Sequence, residues 1–363
     1  MNQLFRWDQM GLFLLALAAG ILPFAVPEVC AAALREGLTL CSGPLLLSLF
    51  PFLVVSRLLI QCPESDLLAL PFRLAAWGIG IRTPCAARVL CIGFLGGFAP
   101  AASAAAQAVR TGQLTAEEAD ALLPACICSG PSFVVLTVGQ SLLGSAELGV
   151  LLFASQITAN YLTAALLNRF AGVRSVKLGS AAPASPAPPR LDEILADAAI
   201  TYCKLCGFIL FFRMLAAGAG ALLPADAGTL CSILLEVCSG CDLASRTGRW
   251  GSLLCCAALS VQGLSVLLQV RTICPPEMTL RPLYRARMLH LPLSLALFYL
   301  LLPGGEADVF STLPARVLLM RRGCRRIVPC SFLQCVVWQS ALCAVESVKL
   351  NRNRWQEMQV GVV

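Results

Sequence analysis

The sequence predicts an all-α, polytopic membrane protein built from two inverted repeats that contain re-entrant hairpins and broken helices. Runs of 18 to 26 residues without a charged side chain lie at 9–27, 37–56, 89–109, 121–146, 148–168, 250–270 and 288–305. About 20 apolar residues cross a bilayer core as a helix, so these runs set the solvent before any motif is read. The 363 residues are 58% hydrophobic and 13% charged, with a mean hydropathy of +0.79, and no polar block is long enough for a separate soluble domain. A soluble chain of that composition has no means of covering its apolar surface. The third observation is a set of short motifs that recurs, in order, in the two halves.

Residues 1–33 read as an N-terminal transmembrane helix. Arg6 followed by Gly11 to Ala25 also fits a secretory leader, with small residues at Cys30 to Ala33, but Pro23, Pro27 and Glu28 suit a retained helix. The first repeat is placed at 38–170 and the second at 194–302, joined by a cytoplasmic linker at 171–193. Its core, Gly179 to Arg190, reads GSAAPASPAPPR and has neither helix propensity nor apolar surface to bury. Residues 303–363 form a basic extension with Arg321, Arg322, Arg325 and Arg326, followed by a stretch at 327–345 long enough for a further helix.

The halves match at four places. Phe52 to Leu59 parallels Ile209 to Leu215, and Leu95-Gly96-Gly97 parallels Cys238-Ser239-Gly240. Ser129-Gly130-Pro131-Ser132 pairs with Gln262-Gly263-Leu264-Ser265, and Gln156 with Asn160 pairs with His290 and Ser294. A preserved order of weak matches is the signature of a duplicated unit.

The net charge of +7 lies in short loops, where Lys and Arg orient the chain rather than bind nucleic acid. Let 37–60 cross, 86–110 enter and return as a hairpin, and 120–145 and 148–168 cross. Then Arg73, Arg82, Arg88, Arg110, Arg169, Arg174 and Lys177 share one face, which is cytoplasmic, and the opposing loops at Arg35-Glu36 and Ser145 to Glu147 have no basic excess. The next span, near 198–223, crosses outward, so the hairpin at 224–246 enters from outside, and Arg271, Arg281, Arg285 and Arg287 return to the cytoplasm. The two halves are thereby inverted, as in secondary transporters. Arg57 and Arg213 sit at matching positions where their side chains can snorkel to water.

Breaks in a membrane helix leave backbone groups that only a protein interior or a wet cavity can satisfy. Gly93 to Pro100 places Gly96, Gly97 and Pro100 where a hairpin tip is needed, and Ser129-Gly130-Pro131 interrupts the run at 121–146. In the second half Glu236, Ser239, Gly240, Gln262 and Gly263 occupy the corresponding places. Polar stripes flank them: Gln156, Asn160 and Thr163 on one helix face, Gln262, Ser265 and Gln269 on another, and His290 with Ser294. These stripes are expected to line a cavity in which Glu236 and Asn160 both stand. The tips at Gly96-Gly97 and Ser239-Gly240 are expected to meet there, beside the two breaks, with bare helix-end amides available to an anion.

Nineteen cysteines fall mostly inside apolar runs, where they act as small hydrophobes. Cys203 with Cys206 and Cys238 with Cys241 have CxxC spacing, but with one histidine in the chain no four-ligand metal site is expected. No cofactor is expected, and no hydrolytic or redox constellation marks an enzyme.

GFLGGFAPAASAAAQAVRTGQLTAEEADALLPACICSGPSF (93–133), SQITANY (155–161), LEVCSG (235–240), LSVQGLSVLLQ (259–269) and RARMLH (285–290) together resemble the YlbJ-type sporulation integral membrane proteins, which carry the nucleoside-recognition, or Gate, domain. The resemblance spans about 38–302. It implies inverted Gate repeats like those of concentrative nucleoside transporters, a bacterial cell or forespore membrane, and a sporulation role with dipicolinate or nucleoside-like cargo. The family's Gly-Tyr/Phe-Pro-x-Gly-Ala hairpin is Gly-Gly-Phe-Ala-Pro here, and its Ser-His is Ser155-Gln156. Expected partners are the lipid bilayer and a small-molecule substrate; homo-oligomerisation is left open. The expected function is a carrier for a small polar or anionic metabolite. The alternatives are a Gate-type metal-ion permease, for which the chain has no GxxxxGK[ST] loop, and a non-transporting sporulation membrane scaffold.

The topology is directly testable. Epitope tags inserted before 86 and after 110 should react from one side of the membrane, and tags before 224 and after 246 from the other. A tag pair split across the membrane would contradict the hairpin at that place.

Overall fold

The computed structural model describes residues 2–62, 64–172 and 190–302. The Pro/Ala segment of the linker and the extension at 303–363 lie outside the described residues, apart from Arg190. Among the described residues all regular structure is helical. The N-terminal region gives α1 (Asn2–Ala25) and α2 (Pro27–Ser42). The first half gives α3 (Pro44–Gln61), short α4 (Ser65–Leu68) and α5 (Leu70–Gly78), the hairpin α6 (Pro84–Gly96) and α7 (Phe98–Arg110), then α8 (Ala116–Cys126), a π-helix (Ser132–Leu142) and α9 (Ala146–Ala171). In the second half come α10 (Leu191–Leu222), the hairpin α11 (Ala225–Leu235) and α12 (Val237–Ser245), then α13 (Gly251–Val261), α14 (Gly263–Ile273) and α15 (Arg281–Leu301).

Among the described residues, four segments are long and apolar enough to cross a membrane: Pro27–Leu47, Ala146–Ala171, Leu191–Leu222 and Gly248–Ile273. Two of these are interrupted, at Gly43 and at Gln262-Gly263, and other charge-free runs are cut into shorter pieces. The expected crossing at 37–60 divides at Gly43, because Pro44 has no amide hydrogen to continue α2 and instead opens α3. The run at 89–109 divides at Gly97, and the run at 121–146 at Ile127 to Pro131. Each cut falls at glycine or proline, where a helical bond is easiest to forgo.

The order long helix, hairpin, broken helix, long helix occurs twice, and its contacts are reciprocal. Helix α3 packs on α10 and α9 on α15, while α7 of the first hairpin meets α14 and α12 of the second meets the π-helix. Small residues permit this density: Ala99, Ala101, Ala102, Ala104, Ala105 and Ala108 of α7 are all fully buried. The π-helix meets α9 through glycine on both sides. A Cβ on Gly139 would collide with the Cα of Gly149, so the backbones touch there.

Polar anchors fix the helix ends. Asp120 on α8 accepts from the Thr279 amide at 2.8 Å, the Thr279 hydroxyl at 2.6 Å and the Leu280 amide at 3.1 Å, which caps α15. Thr115 and Glu118 form a capping box at the start of α8. Arg57 and Arg213, expected to snorkel, are instead ion-paired to neighbouring helices, Arg57 to Asp197 and Arg213 to Glu36, each at 2.7 Å. Their guanidinium groups are mostly buried while both acids are exposed, so an acid was within reach before water was.

Gly149→Ala should lower unfolding stability in detergent by about 1–3 kcal/mol, since the methyl group has only backbone to displace. Gly207→Ala, in mid-α10 with nothing within 4 Å of the new carbon, should be neutral or stabilising by about 0.5–1 kcal/mol. Equal effects from the two substitutions would contradict the glycine crossing.

Candidate functional site

Four chain breaks organise the interior. At the first, Gly97 joins α6 to α7 with φ +81°, and a Cβ there would stand 2.7 Å from the Gly130 amide nitrogen and 3.2 Å from the Cys128 carbonyl oxygen. The first tip therefore rests on the second break, Ile127 to Pro131. The third break is Glu236, extended at φ −151°, between α11 and α12. The fourth is Gln262-Gly263, both at positive φ, and a Cβ on Gly263 would stand 2.9 Å from the Glu236 nitrogen and from the Leu235 carbonyl. Each hairpin tip thus abuts the helix break of its own half, through a glycine that admits no side chain.

The second tip lies four residues earlier than expected. Its turn is at Leu235-Glu236, because the buried Glu236 carboxylate caps the restarting helix, accepting from the Cys238 amide at 2.8 Å and the Ser239 amide at 2.7 Å. Ser239 and Gly240 consequently fall in the first turn of α12. Gly240 serves helix contact, since a Cβ there would stand 2.8 Å from the Ile233 Cα. The amides expected to remain bare for an anion are filled by the chain's own carboxylate.

A cleft of about 50 Å³ lies where the breaks converge. Gly96, Ser129, Gly130 and Ser132 line it from the first half and Glu236 and Gln269 from the second, with α3 and α10 contributing apolar walls through Leu45, Leu49 and Ile209. Its polar side chains are those of Ser129, Ser132, Glu236 and Gln269, with the Cys238 thiol beside Glu236. No Lys, Arg or His side chain is among its lining residues.

Asn160, expected to share this cavity with Glu236, does not line it. Asn160, Gln156, Gln262 and His290 belong to a second cluster, a buried polar network between the halves. Its hub is the Ile127 carbonyl, freed at the end of α8, which accepts from Arg287 Nη2 at 2.7 Å, Gln262 Nε2 at 3.3 Å and Asn160 Nδ2 at 3.4 Å. Arg287 also reaches the Ser260 carbonyl, near the end of α13, at 3.4 Å. Gln156 Nε2 donates to Ser260 Oγ at 2.9 Å, Ser260 Oγ meets Ser294 Oγ at 2.5 Å, and His290 Nε2 lies 3.2 Å from the Gln156 carbonyl. These stripes therefore bind helix to helix, as polar residues in membranes commonly do, although Asn160 Oδ1, Thr163 Oγ1, Gln262 Oε1 and His290 Nδ1 have no partner among the described residues.

Of the remaining expected residues, Pro100 packs its ring beside Gly96 and Pro131 opens the π-helix. Arg287 was missed. It stands at i, i+3, i+7 with His290 and Ser294 on one face of α15, but the positive-inside argument had placed it among the loop arginines. It is 7% exposed and forms no ion pair among the described residues. Among the described residues, no group of three or more His, Cys, Asp or Glu side chains converges as a metal-ligand set.

Comparison with protein-family models, curated proteins and solved structures finds no match to this chain.

Proposed function

We propose that this chain is a multi-pass integral membrane carrier for a small polar metabolite, built from two inverted repeats of the Gate type. The observation that carries the reading is the cleft shared by both halves, where two hairpin tips and two helix breaks meet at Gly96, Ser129, Gly130, Glu236 and Gln269. Secondary carriers place their sites at such junctions of discontinuous helices, between repeats that rock against each other. The recurring element order and the reciprocal helix contacts support that origin.

The chemistry of the cleft narrows the cargo. Acceptors at Glu236 and Gln269 with hydroxyls at Ser129 and Ser132 suit a molecule rich in N–H and O–H donors, as a nucleoside is. An anion such as dipicolinate would meet a buried carboxylate and no counter-charge. A cleft of about 50 Å³ admits one or two waters, while metabolite sites run to about 300 Å³ or more, so cargo enters only when the tips draw back from the breaks. The glycine contacts at Gly97 with Gly130 and at Gly263 with Glu236 are where that separation would begin.

Proteoliposomes should accumulate labelled nucleosides in preference to dipicolinate. Gly130→Leu should cut uptake by about tenfold or more by filling the cleft. Gly130→Ala should retain most of it, because the added carbon stands 3.4 Å from the nearest atom, the Gly96 carbonyl oxygen. Full uptake with leucine at 130, or a preference for the dianion, would contradict the assignment.

A further inference from the structure

We propose that Cys41 and Cys206 are a site of reversible disulfide modification that clamps α2 to α10 beside the cleft. In the sequence Cys206 stands out only as half of a CxxC pair with Cys203. The fold separates that pair: Cys203 is exposed, whereas Cys206 is half-buried and meets Cys41.

The register of the two helices carries the inference. Glu36 pairs with Arg213 at 2.7 Å, and a Cβ on Gly37 would stand 3.9 Å from the Leu210 Cα. Partner numbers fall along α10 as they rise along α2, so the helices are antiparallel, and one turn beyond Gly37 and Leu210 sets Cys41 opposite Cys206. The side chains agree. The two thiols are in contact, and the Tyr202 phenol touches the Cys206 thiol while donating to the Cys41 carbonyl. An approach as close as that at Gly37 suits the Cα separation of about 4.4–6.8 Å that a disulfide spans. Both thiols are free in this structure. Cys255 Sγ also lies near Cys241, 3.5 Å from its carbonyl oxygen, but both of those residues are 0% exposed and closed to an oxidant.

Hydrogen peroxide is small and uncharged enough to reach the partly exposed Cys206. The Cys206 sulfur attacks one peroxide oxygen, the O–O bond breaks, and the leaving hydroxide takes the thiol proton to become water, which leaves a sulfenic acid. The Cys41 sulfur then attacks the sulfenic sulfur, the S–O bond breaks, and the hydroxyl departs with the Cys41 proton as a second water. Two thiols are oxidised to one disulfide and one peroxide is reduced to two waters; a dithiol reductant reverses the bond by exchange. Cys41 lies four residues before Leu45 and Cys206 three before Ile209, and both of those side chains wall the cleft. The bond therefore holds the walls together. Its effect on uptake rests on the carrier reading, while the disulfide rests on the helix register alone.

The test is oxidation of the full chain in proteoliposomes with hydrogen peroxide, then alkylation of free thiols, digestion and mass spectrometry, with nucleoside uptake measured in parallel. Peptides joined through Cys41 and Cys206 should appear and should separate on treatment with dithiothreitol. They should be absent from Cys41→Ser and Cys206→Ser and persist in Cys203→Ser. Oxidised wild type should lose most of its uptake and regain it with dithiothreitol, whereas Cys41→Ser should keep it. Absence of the joined peptides, or Cys206 joined to Cys203 instead, would overturn the site. Linkage with undiminished uptake would overturn the clamp and leave the carrier; linkage in a chain that takes up no metabolite before oxidation would remove the carrier reading and leave the disulfide.

Discussion

A carbonyl freed inside a membrane protein must find a donor within the protein, and here one such carbonyl joins the two halves. Ile127 ends α8 and loses its helical partner to the break that Pro131 enforces. Gln262, itself the break of the other half, turns its amide to that oxygen, and Arg287 supplies a charge-assisted bond from α15. An unsatisfied buried carbonyl costs about 1–3 kcal/mol, so leaving the two breaks apart is expensive in either half. The guanidinium fits there without a carboxylate because α8 and α13 both direct carbonyls, and the negative ends of their dipoles, toward it.

Once the broken helices are held together, the hairpins follow. Each tip can only rest on a break if no side chain intervenes, which is why Gly97 meets Gly130 and Gly263 meets Glu236. The cleft is what remains between them, walled by glycine backbone on one side and by a capping carboxylate on the other. The network around Ile127 ties helix to helix, with Asn160 Oδ1, Gln262 Oε1, Arg287 Nε and His290 Nδ1 left without a partner among the described residues, while Glu236 caps α12 at the cleft wall.

Much of this was legible in the sequence because the bilayer constrains it so heavily. Charge-free runs exposed the solvent, and glycine or proline within them located the breaks at Gly97, Ser129 to Pro131 and Gln262-Gly263. The second tip was placed at Ser239-Gly240 because glycine was taken as its mark, whereas a side-chain cap at Glu236 makes that turn and leaves Gly240 to helix packing. The stripe of Gln156 and Asn160 was read as cavity lining because periodicity gives a face but not what the face meets. Arg287 was hidden by its neighbours Arg281 and Arg285, since a charge next to a loop and a charge one turn deeper look alike in a linear string.

The central claim is that Arg287 and Gln262 act together on the Ile127 carbonyl, and a double-mutant cycle measures it directly. Unfolding free energies in detergent for Arg287→Met, Gln262→Leu and the pair should show a coupling of about 0.5–3 kcal/mol, as expected for two donors on one acceptor. Additivity within about 0.3 kcal/mol would mean that the two residues act independently and that the halves are held together elsewhere.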